Sequence, residues 1–138
     1  MDPEYLVADF RCRLAYVVDS IDSALDDANV MQSLLVTVDE LVELAKGIRR
    51  PFTFTGPKRG VIGRCDHTQE RRMSRSQAGQ CILVHLEDSD EYATYLGEYV
   101  SRRYEWRMRE VLGRVTRGLL YESKCLQQTM AHVVNSSA

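Results

Sequence analysis

The sequence predicts a mostly helical α+β fold, and three observations carry that expectation. Between Pro3 and Gly47 no glycine or proline interrupts the chain, and apolar residues recur there at alternating steps of three and four. The middle is then punctuated by Pro51, Gly56, Pro57, Gly60 and Gly63, with short runs in the strand period around them. A second apolar stripe at helical spacing occupies the last third. The expected architecture is one domain over residues 1–138: a long N-terminal helix or helical hairpin (1–47), a small antiparallel β-sheet with a basic loop (48–87), a long C-terminal helix (88–134) and a frayed tail (135–138).

The N-terminal element has marked ends. Asp2 as N-cap, Pro3 at the first helical position and Glu4 facing the helix dipole form a start signal, while Lys46, Gly47 and Pro51 form a stop. Its apolar seam runs Val7, Phe10, Leu14, Val17, Ile21, Ala24, Ala28, Met31, Leu35, Val38, Val42 and Ala45. The polar cluster Asp26, Asp27 and Asn29 offers a turn, with Asn29 and Gln32 spaced as a capping box. A single helix could not bury such a stripe alone. Val7, Phe10, Leu14, Val17, Ile21, Met31, Leu35 and Val38 are therefore the expected seam of a coiled-coil homodimer, with packing inside a monomeric bundle as the alternative.

In the middle, residues 52–55, 61–65 and above all Cys81 to Leu86 alternate as strands, separated by a polar loop from Thr68 to Gln80. Cys65 and His67 are two apart and Cys81 and His85 four apart, so paired strands would bring two thiols and two imidazoles together as a tetrahedral zinc set. Against zinc stand the unusual one-residue spacer between Cys65 and His67 and the absence of a turn glycine; a buried structural Cys81 is the commoner outcome. No other cofactor is implied.

In the last third, Asp88 with Glu91 three residues on marks a helix start. The stripe continues through Leu96, Val100, Tyr104, Met108, Val111, Val115, Leu119, Leu126, Met130 and Val133, with a bend expected near Gly113 to Gly118. Arg103, Arg107, Arg114 and Arg117 share one side of it. Glu98, Glu105 and Glu110 each precede an arginine by four residues, the order that stabilises an exposed helical face.

Charge patterning shapes the functional expectation. The net charge of −2 hides a partition: −8 over residues 1–45, +7 over 46–84 and −1 over 85–138. A basic middle rich in arginine and glycine suits phosphate contact, because guanidinium forks reach two oxygens and the backbone can adapt. Arg49, Arg50, Lys58, Arg59, Arg64, Arg71, Arg72 and Arg75, supported by Arg103 and Arg107, form the expected nucleic-acid-binding set. RNA is favoured over specific DNA, since no groove-reading motif is present. No phosphate-binding glycine loop, nucleophile elbow or paired-histidine zinc motif occurs, so an enzyme is not expected. The leading reading is a non-catalytic regulatory protein that binds RNA on a helical dimer scaffold. Its rival is a protein-interaction adaptor that receives a partner helix on the apolar seam, without nucleic acid. No apolar run reaches the roughly 18 residues of a membrane span and the N-terminus is acidic where a signal peptide is basic, so an intracellular protein of cytoplasm or nucleus is expected.

Overall fold

A computed structural model describes residues 2–53 and 74–136, and over them the chain is helical. The elements are α1 (Pro3–Asp26), α2 (Ala28–Arg49), α3 (Arg75–Tyr99) and α4 (Trp106–Ser136), with short 3-10 turns at Arg50–Phe52 and Val100–Arg102. No strand occurs among the described residues, so the small antiparallel sheet is overturned and the fold is an all-α four-helix bundle.

The expected start of the chain is the observed one. The Asp2 carboxylate accepts from the Glu4 amide at 3.1 Å and Pro3 occupies the first turn of α1. The N-terminal stretch is a hairpin, because Asp27 leaves helical geometry with φ −141° and ψ 111° and closes one helix while opening the next. Its side chain accepts from the amides of Asn29 and Val30, so the cap sits two residues before the expected Asn29 and Gln32 box. At the far end α2 runs straight through Gly47, where Leu6 of α1 packs closely, and stops at Arg50.

The segment from Cys81 to Leu86 lies inside α3. Its apparent alternation is a six-residue coincidence within a longer stripe, Ala78, Ile82, His85, Ser89, Ala93, Leu96 and Val100, whose steps of three and four bury one helical face. Ser74 opens α3 with a reciprocal capping box to Gln77, which satisfies two amide donors at the start of the helix. Asp88 is consequently mid-helix, and residues Arg75 to Gln80, expected as loop, are helix, while 68–73 lie outside the described residues. Phe52 belongs to a 3-10 turn and is buried. Residues 54–55 and the strand expected at 61–65 lie outside the described residues. The single C-terminal helix is divided at 100–105, while α4 passes unbroken through Gly113 and Gly118 to Ser136.

Cross-contacts define the topology. Leu25 packs near Gly79 and Arg11 against Gly97, so α1 and α3 are antiparallel. Arg49 reaches Gly113 and Gln127 reaches Asp39, so α2 and α4 are antiparallel as well. Cys81 with Thr129 and His85 with Glu122 set the same relation between α3 and α4. Each helix thus packs on two antiparallel neighbours, in the order α1, α2, α4, α3 around the bundle. Phe52 lies at one end of the bundle and Ser74 opens α3 at the other, so in chain order the four helices run up, down, down and up.

The core draws fully buried side chains from all four helices, among them Phe10, Leu14, Met31, Leu34, Leu41, Ile82, Leu96, Leu112, Leu119 and Leu126. In α1 the buried positions are those of the expected seam together with Pro3. In α2 they become Met31, Leu34, Val38, Leu41, Val42, Ala45 and Ile48, while Ala28 is exposed and Leu35 only half-buried. The seam residues Val7, Phe10, Leu14, Val17, Ile21, Met31 and Val38 are covered by the chain's own helices. No helix among the described residues is long and apolar enough to cross a membrane.

Candidate functional site

Two places on the bundle concentrate chemistry: an exposed corner between α3 and α4, and a buried polar cluster along the same pair of helices. The corner exists because the chain leaves helical geometry after Tyr99 (φ −120°, ψ −5°) and restarts at Trp106. The break rotates the phase of the stripe. Tyr104, expected on the apolar face, is 78% exposed, and Trp106 is 72% exposed. Tyr95 and Tyr99 turn inward instead, packing on the core with ring centroids 4.6 Å apart.

Both exposed rings carry a cation. The Arg103 guanidinium carbon lies 4.6 Å from the Tyr104 ring centroid, and the same side chain donates to Tyr104 Oη at 2.8 Å and to Asp2 Oδ1 at 3.4 Å. The Arg107 guanidinium lies 5.3 Å from the Trp106 centroid. Arg102 grips Glu105 through two parallel hydrogen bonds of 2.9 and 2.8 Å. That pairing raises the Arg102 pKa and lowers the Glu105 pKa, in each case chiefly through the hydrogen bond. Arg50 is exposed at the same end of the bundle, where α2 terminates.

The other expected anion-binding residues separate. Arg49 is a structural staple: its Nη1 donates to the Gly113 carbonyl at 2.6 Å, to Thr116 Oγ1 at 3.2 Å and to the Phe52 carbonyl at 3.2 Å. Burial, and then the like charge of Arg117, lower its pKa. Lys58, Arg59, Arg64, Arg71 and Arg72 lie outside the described residues, as does the side chain of Arg75.

Of the buried cluster the sequence marks Cys81 and His85, but neither Glu122 nor Thr129. His85 is 0% exposed and its Nδ1 stands 2.5 Å from Oε2 of Glu122, itself 2% exposed. One turn away Cys81 Sγ meets Thr129 Oγ1 at 3.6 Å, and Thr129 also donates to the Cys125 carbonyl at 2.9 Å. Ser123 and Thr116 return their hydroxyls to carbonyls of their own helix, Leu119 and Leu112, both at 2.7 Å. Beyond Ser89 the Tyr92 ring lies against Gly118, where a Cβ would fall 2.5 Å from Cζ; only glycine admits this approach. Burial, then the charges of Glu122, Asp88 and Glu91, raise the Tyr92 pKa.

Burial alone, the largest single influence, would drive His85 neutral. The hydrogen bonds to Cys81 and Glu122 and their negative charge together outweigh it and raise its pKa to about 9. His85 and Glu122 thus form a buried pair that favours the protonated ring and joins α3 to α4. Cys81 and His85 project from one helix, not from paired strands, and Cys65 and His67 lie outside the described residues. Among the described residues no three His, Cys, Asp or Glu side chains are arranged to hold a metal. Comparison with protein-family models, with curated proteins and with solved structures gives no match to this chain.

Proposed function

We propose that the protein is a non-catalytic regulatory protein that binds nucleic acid, single-stranded RNA by preference, at the corner formed by Arg102 to Arg107. The observation that carries this reading is the pair of exposed rings, Tyr104 and Trp106, each with an arginine beside it. An indole left in water forfeits hydrophobic free energy that stacking on a base recovers, and stacking is tolerant of sequence because every base has a π-face. Arg103 and Arg107 would supply phosphate contacts beside the stacked bases, and Arg50 extends the basic surface at the same end of the bundle. The non-catalytic part of the reading is supported by the burial of the histidine and carboxylate pair His85 and Glu122, the one such pair among the described residues, which a substrate could not reach.

Fluorescence anisotropy with a labelled 12-nucleotide RNA tests this. Trp106→Ala and Tyr104→Ala are each expected to weaken binding by about 10- to 100-fold, the range for loss of one stacked base. Affinity should fall linearly in the logarithm of salt, with a shallower slope in Arg107→Gln, and a duplex of the same sequence should bind less well because its bases are not splayed for stacking. Absence of binding at low salt, or binding indifferent to both aromatic substitutions, overturns the proposal.

A further inference from the structure

On the other side of α3 lies a groove of about 840 Å³, shared with α1. Its floor is apolar, and two large side chains stand exposed in it: Val18 at 45% and Leu83 at 46%. Carboxylates border it on both helices, Asp19 and Asp22 from α1 and Glu87 and Asp90 from α3, each pair three residues apart and so on one face of its helix. The one base in the lining is Arg11, which lies across α3 where a Cβ on Gly97 would fall 2.6 Å from its Nη1. The groove therefore has an apolar centre, an acidic border on each side and a cation towards one end.

We propose that this groove docks an amphipathic helix of a partner protein, one with a narrow apolar stripe flanked on both sides by lysine or arginine. The charge complementarity is specific in layout. A helix lying between α1 and α3 sets its apolar stripe on Val18 and Leu83 while both its shoulders face carboxylates. The lined part of α1, Ala8 to Asp22, is about 21 Å long at 1.5 Å per residue, which matches a helix of four turns. An anionic ligand or an acidic membrane surface is repelled by the same layout, so the groove serves a different partner from the arginine-bearing corner. Docking there is independent of RNA binding.

The test uses the full chain and a labelled 16-residue synthetic helix with leucines on one stripe and arginines on both shoulders. Two control peptides carry glutamates in place of the arginines, or the same composition with the stripe scrambled. The arginine peptide is expected to bind, and both controls to bind at least about tenfold more weakly, the loss expected when one anchor or its charge match is removed. Val18→Ser combined with Leu83→Ser should weaken the arginine peptide by roughly tenfold or more, since both side chains are exposed in the free protein and their replacement leaves the core intact. Asp22→Lys with Asp90→Lys should do the same and flatten the salt dependence. A circular dichroism melt on each variant confirms that the bundle persists. Failure of the arginine peptide to bind, binding equal to that of the scrambled peptide, or binding unaltered by the Val18 and Leu83 substitutions overturns the proposal. So does a concentration-dependent mass in solution that those substitutions abolish, which assigns the groove to a second copy of this chain. RNA affinity measured on the same variants should not change.

Discussion

Replacing Glu122 with alanine is expected to destabilise the bundle by about 3–5 kcal/mol, because it leaves the buried His85 ring without the partner that offsets its desolvation and opens a cavity beside it. For a chain of this length that corresponds to a fall in melting temperature of roughly 10–20 °C. Glu122→Gln keeps an acceptor near His85 Nδ1 and should cost markedly less. Replacing both partners with leucine should recover most of the loss, since a well-packed apolar pair escapes the desolvation penalty altogether. Thermal melts of the four proteins decide the matter. A Glu122→Ala protein melting within a degree or two of its parent would show that the pair contributes nothing to holding α3 on α4.

The same pair fixes a pH dependence whose sign follows from the proton affinity of His85. Its pKa stands at about 9 in the folded protein, against roughly 6.5 in an unfolded chain. The folded state therefore binds the proton more tightly, and the stability this supplies is fully present below about pH 6.5. It is lost progressively as the pH rises through about 9, by an amount on the order of 3 kcal/mol, since each tenfold difference in proton affinity is worth about 1.4 kcal/mol. Urea titrations from pH 6 to pH 10 should show this decline in the parent protein and not in the double leucine variant, once the background slope common to both is subtracted. A parent and variant with parallel profiles would contradict it.

What the sequence discloses and what it hides follow from the range of the interactions involved. The opening of α1 at Asp2 and Pro3 is legible because capping is decided within four residues. So is the buried seam of α1, the six apolar residues Val7, Phe10, Leu14, Val17, Ile21 and Ala24 in unbroken register. The turn at Asp27 is visible as a polar cluster. The observed register of α2, Met31, Leu34, Val38, Leu41, Ala45 and Ile48, is also present in the spacing, but it shares Met31, Val38 and Ala45 with the continuous seam, so periodicity alone does not choose between them. Cys81 to Leu86 satisfies both periods because every position but one is apolar, so six residues cannot decide between them. The discriminating signals lie further out, in the box from Ser74 to Gln77 and in the stripe continuing to Val100. The break after Tyr99 has no glycine or proline to mark it, which conceals the exposure of Tyr104. Glu122 resembles one more surface acid, because its partner is 37 residues away and only the packing of α3 on α4 brings them together.

The consequence of the turn at Asp27 can be measured with two neighbouring leucines. A continuous helix carrying the α1 register through the turn would bury Leu35 and expose Leu34. In the hairpin the order is reversed: Leu34 is fully buried in the core and Leu35 packs on its edge, half-exposed. Leu34→Ala is therefore expected to cost about 2–5 kcal/mol, the transfer of its side chain plus the cavity left between α2 and its neighbours. Leu35→Ala removes area that is already partly in contact with water and opens no closed cavity, so its cost should be nearer about 1 kcal/mol. Chemical denaturation at neutral pH separates these values well beyond the error of the extrapolation. The reverse ranking would restore the uninterrupted seam, with its implication that a second subunit covers the stripe. The observed burial instead leaves the seam residues Val7, Phe10, Leu14, Val17, Ile21, Met31 and Val38 enclosed by the chain's own helices.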